Sequence, residues 1–186
     1  GEYVAPSISR IAVAPTFPET ADGEDAIISW LAQLGSVAKS QNCEVDVYLH
    51  PSSKPRLRKA IASTSGVTLS TSGFNSAKLR EYSAIVTDFS SIAHDALLIG
   101  TPVVMVTIDL EHYTKSREIL IDQEQWDVAY IVDDVAQFDG VLADVLGKDS
   151  RKAARSEYRN RMLAALPGAP GEPTVSAVKR ALSRIP

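Results

Sequence analysis

The sequence predicts an α/β fold: a Rossmann-like, doubly wound and mostly parallel sheet with helices on both faces. Three observations carry this. Short apolar runs recur along the chain, segments with helical spacing stand between them, and Pro or Gly punctuates many junctions. Strands that alternate with helices need crossover connections, and crossovers lay helices over both faces of a parallel sheet.

The elements follow in order. Arg10 to Ala14 is a short apolar run stopped by Pro15, read as a buried strand. Asp22-Gly23-Glu24-Asp25 supplies a helix start, with acids near the positive end of the helix dipole. Ile27, Ile28, Leu31, Leu34, Val37 and Ala38 then follow at helical spacing. Val45 to Leu49 is a second strand, ended by Pro51, and Leu57, Ala60 and Ile61 mark a second helix. Gly66 to Leu69 is a third strand, residues 76–82 a short helix, and Ala84 to Thr87 a fourth strand. A helix runs from Ser90 to Leu98, with Gly100 placed to end it. Val103 to Val106 and Ala129 to Val132 are the last strands, and 110–118, 135–146 and 151–166 are helices. Leu166-Pro167-Gly168-Ala169-Pro170-Gly171 breaks the pattern before a last helix over about 173–184. The expected organisation is a nucleotide-binding domain over 1–166, with a linker and helix over 167–186 packing back on it. The abrupt start at a strand suggests a piece of a longer protein.

Composition narrows the function classes. The chain has 186 residues, 45% hydrophobic and 23% charged, which suits one globular domain. Its formal charge is -4, which disfavours a nucleic-acid partner. No stretch approaches the roughly 18 apolar residues of a membrane span, and no basic-then-apolar leader opens the chain. A cytoplasmic location is expected, with peripheral docking on the inner face of the membrane open to a longer protein. Cys43 stands alone and reads as a packing residue, and His50, His94 and His112 lack metal-ligand spacing, so neither metal nor cofactor is expected. Trp30 and Trp126 read as packing, and the charges from Lys148 to Arg161 as a solvated face.

In parallel sheets ligands bind beyond the carboxyl ends of the strands. The segment Thr87-Asp88-Phe89-Ser90-Ser91 occupies such an end and leads into a helix. Unpaired N–H groups and two serine hydroxyls there suit a phosphate, although the segment taken alone reads more readily as an N-cap at Asp88 or Ser90. Asp95 lies four residues after Ser91 on the same helical face, placed either for ribose hydroxyls or as a solvated acid. His50 ends the second strand, where it either contacts phosphate or bonds a loop carbonyl. Thr16 follows the first strand at the same edge, and Ser72-Gly73-Phe74-Asn75 follows the third and could hold a base. Asp109, Glu111, His112 and Tyr113 would line the far side. Gly-x-Ser-x-Gly, Gly-x-x-x-x-Gly-Lys-Ser/Thr and Gly-x-Gly-x-x-Gly motifs do not occur.

With these residues in place the sequence resembles a known family, the bacterial CDP-glycerol:poly(glycerophosphate) glycerophosphotransferases of teichoic acid and capsule synthesis. Ile11 to Phe17 looks like that family's apolar strand followed by Ala-Pro-Thr, and Leu49-His50-Pro51 like its strand-end His-Pro. Tyr82 to Asp95 looks like its Thr-Asp-Tyr-Ser-Ser signature with the later Asp, followed by Gly100-Thr101-Pro102-Val103 and Asp109-Leu110-Glu111-His112-Tyr113. The resemblance covers roughly residues 10 to 185. Pro18-Glu19 stands where the family usually has Arg, Arg117-Glu118 where it has Arg-Gly, and Trp126-Asp127-Val128 where a later Pro-Gly is expected.

The resemblance implies the C-terminal, donor-binding half of a GT-B-like enzyme. It implies that Ser90 and Ser91 bind the diphosphate of a CDP-linked polyol, Asp95 its ribose, and that His50 lies at the reacting phosphate as the catalytic residue. Thr16, Thr87, Asp88, Ser72, Gly73 and Phe74 complete the expected donor set. The partners implied are the CDP-polyol donor, an N-terminal half-domain and a lipid-linked polymer acceptor. Two alternatives stand beside it: a UDP-sugar-dependent glycosyltransferase or epimerase of the same architecture, and a non-catalytic nucleotide-binding module.

Overall fold

Alternation within the strands decides how the layers form. In β1 (Arg10–Val13), Ile11 and Val13 face one side of the sheet and Ala12 the other. The computed structural model describes residues 6–18, 20–74, 76–108, 110–114 and 127–165. Within them β1, β2 (Glu44–Val47), β3 (Thr68–Leu69), β4 (Ala84–Thr87), β5 (Val103–Val106) and β6 (Tyr130–Val132) form one sheet. The order is β3-β2-β1-β4-β5-β6 and every pairing is parallel. The expected Rossmann-like fold is observed, with a wholly parallel sheet where a mostly parallel one was expected.

Two cores result. On one face α1 (Ala21–Ser40) lays Ile27, Trp30, Leu31, Leu34 and Ala38 against Ile11, Val13, Val45, Val47 and Val86. Phe138 and Leu142 of α5 (Phe138–Leu146) join that layer. On the other face Ala93, Ala96 and Leu97 of α3 (Ile92–Ile99) pack with Ile85, Val103, Met105 and Tyr158. Tyr158 belongs to α6 (Lys152–Ala165). Each fully buried aliphatic side chain contributes about 1.5–3 kcal/mol, so the two layers offset much of the chain entropy that folding removes. The single Cys43 is buried, and burial pushes its thiol up to about 11, in keeping with a packing role. Trp30 packs against Phe138 at 6.3 Å between ring centroids.

Some boundaries move. α1 starts earlier than its acids suggest, because Thr20 is the N-cap and its side chain accepts from the Gly23 N–H. The 76–82 segment is a tighter 3-10 turn over Ser76–Glu81, and a 3-10 turn at Val135–Gln137 precedes α5. α2 (Pro55–Ala62) begins on Pro55, whose missing N–H costs nothing in a first turn. Gly100 closes α3 in the left-handed region at φ 95°, as its position predicts. α4 (Leu110–Thr114) is the described part of the helix expected over 110–118. The expected break after Leu166 and the last helix lie outside the described residues, as do Asp109, Asn75 and Trp126. Among the described residues no helix is long and apolar enough to cross a membrane.

Candidate functional site

The strand order reverses between β1 and β4. In a sheet of this order the connections on either side of that point run away from each other and leave a crevice at the carboxyl edge. The segments flanking it are Ala14 to Pro18 after β1 and Asp88 to Ser91 after β4, with His50 just beyond β2.

Two helix N-termini reach this edge, and they differ. α1 is closed: Thr20 caps it, Asp22 and Glu24 occupy its first turn, and Gly23 packs against Pro18. Acids there neutralise the dipole that would attract an anion. α3 carries no side-chain cap bond, and its first acid is Asp95. The helix begins at Ile92, two residues later than the sequence suggests, but Ser91 already has helical angles (φ -60°, ψ -14°). Ser91 is exposed and Ser90 half-buried, with Ser90 Oγ taking only a long 3.4 Å bond from the Ile92 N–H. Both hydroxyls therefore remain able to turn toward an anion at the crevice.

Thr87 and Asp88 behave otherwise. The Thr87 side chain is fully buried and its hydroxyl donates to the Ala14 carbonyl at 2.6 Å, joining β4 to β1. Asp88 is 9% exposed, and its two carboxylate oxygens accept from Thr16, one from the backbone N–H at 2.7 Å and one from the hydroxyl at 2.6 Å. The Asp88 and Phe89 N–H groups also point at it, yet burial dominates and raises the carboxyl from 3.8 to about 6. Thr87, Asp88 and Thr16 were expected among the donor contacts; here their polar side-chain atoms are spent on one another and on the backbone.

His50 is exposed, and its ring lies 5.8 Å from Phe17. The Ser52 N–H donates to His50 Nδ1 at 3.1 Å, which leaves the ring proton on Nε2. That tautomer donates a hydrogen bond outward. The turn itself is clamped from α2: Arg58 donates to the carbonyls of His50 (2.8 Å), Ser53 (3.2 Å) and Pro51 (3.3 Å). Arg58 was missed from sequence, since an Arg on a helix face carries no mark of what it grips.

The expected base loop is anchored rather than open. Phe74 is half-buried with its ring 4.6 Å from Tyr48, and Lys78 donates to Ser72 Oγ at 2.9 Å. Ser72 and Gly73 are exposed, and nothing stands within 4 Å of a side chain at Gly73. Tyr48 in turn bonds Tyr82 at 2.5 Å, and Tyr82 donates to buried Asp46, which pairs with Arg10. On the far side, Tyr113 of α4 packs on Phe89 at 4.1 Å. Among the described residues no group of three or more His, Cys, Asp or Glu could hold a metal ion.

This geometry can be set beside known proteins. The sequence profile of the CDP-glycerol:poly(glycerophosphate) glycerophosphotransferases matches residues 8–166. The chain belongs to that family. No curated protein matches it in sequence. Among solved structures it is similar to the calicheamicin glycosyltransferase CalG4 (12% identity, TM-score 0.66), covering 97% of this chain and 43% of that one. It is also similar to the wall teichoic acid polymerase TagF (16%, TM-score 0.55), covering 87% of this chain and 39% of that one. A third is S. aureus MnaA in a co-structure with UDP (11%, TM-score 0.57), covering 81% of this chain and 40% of that one. These likenesses show the fold. The chain spans less than half the length of each of these structures.

Proposed function

We propose that this chain is the donor-binding half of a transferase that moves polyol phosphate from a CDP-polyol, glycerol or ribitol, onto a cell-envelope polymer. Family membership supports the reaction class. The observation that carries the site is the α3 N-terminus, free of a side-chain cap and bearing Ser90 and Ser91 at the sheet's switch point. A TagF variant has been soaked with CDPG, which supports the same donor class for a relative of this fold.

In this reading the Ser90 and Ser91 hydroxyls at the N-terminus of α3 hold the diphosphate, and Asp95, further along that helix, takes the ribose. The loop with Ser72, Gly73 and Phe74 holds the base. His50 donates from Nε2 to an oxygen of the reacting phosphate. An acceptor hydroxyl attacks the β-phosphorus, the bond to the bridging oxygen breaks, and the electron pair leaves with CMP. The hydroxyl proton passes to a base on the N-terminal half, which also contacts the lipid-linked acceptor. Thr16, Thr87 and Asp88 hold the edge in shape.

Calorimetric titration with CDP-glycerol, CDP, UDP and UDP-N-acetylglucosamine tests this, beside a Ser90→Ala/Ser91→Ala variant. Cytidine-selective binding is expected, weakened roughly ten- to hundredfold in the variant, as for lost hydrogen bonds to a charged group. Preference for uridine would instead favour a sugar-nucleotide enzyme. Equal binding by parent and variant would remove the serines from the site.

A further inference from the structure

We propose that Asp88 is a positioning residue for donor binding: by clasping Thr16 it couples the loop after β4 to the loop after β1 and, through Phe17, sets the His50 ring. The inference rests on the donor-site reading above and assigns Asp88 a role that involves no contact with the donor.

The geometry is two-pronged. Oδ1 takes the Thr16 N–H and Oδ2 the Thr16 hydroxyl, at 2.7 and 2.6 Å, so both the backbone and the side chain of Thr16 are held. Two short charge-assisted bonds fix orientation as well as distance. The residues lie 72 positions apart, and the bond joins the loop after β1 to the loop after β4, on either side of the sheet reversal. Next in sequence to Thr16, Phe17 meets the His50 ring at 5.8 Å. A line of contact thus runs from the loop bearing Ser90 and Ser91, through Thr16 and Phe17, to His50.

Two other roles for this carboxylate fail on the same facts. Asp88 does not cap α3, whose N-cap is Ser91 and which has no side-chain cap bond. It is also not a surface ligand, since it is 9% exposed and both oxygens are occupied. The donors reaching it are neutral N–H and O–H groups, so the fold bears the cost of a buried acid.

The test uses the full chain with Asp88→Ala, Thr16→Val, both together, and the conservative Asp88→Asn and Thr16→Ser. An asparagine keeps an acceptor for the Thr16 N–H and offers its amide to the hydroxyl. The first readout is the NMR signal of the Thr16 amide and the His50 ring in the free protein. The second is CDP-glycerol affinity.

Asp88→Ala and Thr16→Val are each expected to move the His50 ring signals, through the Phe17 ring current. Each weakens binding roughly tenfold, and the double variant loses no more than the worse single. The conservative variants restore both readouts. Losses that multiply in the double variant would mean that Asp88 acts on the donor directly, and the proposal would be wrong. His50 signals unmoved in both Asp88→Ala and Thr16→Val would overturn it too. Should Asp88→Ala not fold, Thr16→Val against Thr16→Ser decides alone. If the parent binds no CDP-glycerol, the donor reading falls while the His50 signals still judge the clasp.

Discussion

Replacing Asp88 by Asn should change how the protein's stability depends on pH. The carboxyl is raised from 3.8 to about 6, chiefly by burial. Between those values the unfolded chain has lost the proton and the folded protein keeps it. The folded state therefore binds more protons there, and stability falls as pH rises through the window. Each pH unit is worth about 1.4 kcal/mol, so this one group removes about 3 kcal/mol between pH 4 and pH 6. The loss is complete above pH 6. Asparagine cannot ionise, and its amide preserves both bonds to Thr16. Parent and variant should thus be of similar stability near pH 4, with the variant gaining steadily to about 3 kcal/mol by pH 7. Urea unfolding, followed by the fluorescence of buried Trp30 at half-unit intervals of pH, measures the difference directly. Taking the difference between the two proteins cancels the other titrating groups, such as Asp144, which Ser150 pulls the other way. A difference that does not vary with pH, or that turns against the variant at pH 7, would show that hydrogen bonding outweighs burial at Asp88.

The remaining predictions concern the scaffold around the site. Arg58→Met should loosen the His50–Ser53 turn: hydrogen exchange at the Ser53 N–H, which bonds the His50 carbonyl at 2.9 Å, should quicken by roughly tenfold with little change in global stability. Unchanged exchange would mean the turn needs no clamp. Arg155 is 2% exposed, bonds Gly100 O at 3.0 Å and pairs with Asp149, tying α6 to the end of α3. Arg155→Met removes the charge partner of the Asp149 carboxylate, leaving it the Tyr130 hydroxyl at 3.1 Å, and should cost about 3 kcal/mol in chemical denaturation. A loss below about 1 kcal/mol would show that Asp149 finds water instead.

The sequence by itself determined the layered fold. Apolar runs such as Ala84-Ile85-Val86 and Val103-Val104-Met105-Val106 are buried on both faces, as strands of a covered parallel sheet are. Helical spacing from Ile27 to Ala38 set the face of α1, and Gly100 set the end of α3, because these are local preferences of the chain. The serines proposed for the phosphate can be read from the sequence for the same reason: a strand end followed by Ser-Ser and an apolar helix is a local pattern. What tertiary structure alone decided is which polar atoms are left for a ligand. Thr87 and Asp88 look as available in sequence as Ser90 and Ser91, yet Ala14 and Thr16, more than seventy positions away, occupy them. Thr20 likewise shuts α1 while α3 stays uncapped, and Arg58 grips a turn it does not adjoin. Helices and strands arise from neighbours along the chain, whereas the satisfaction of a buried donor or acceptor depends on whatever the fold brings beside it.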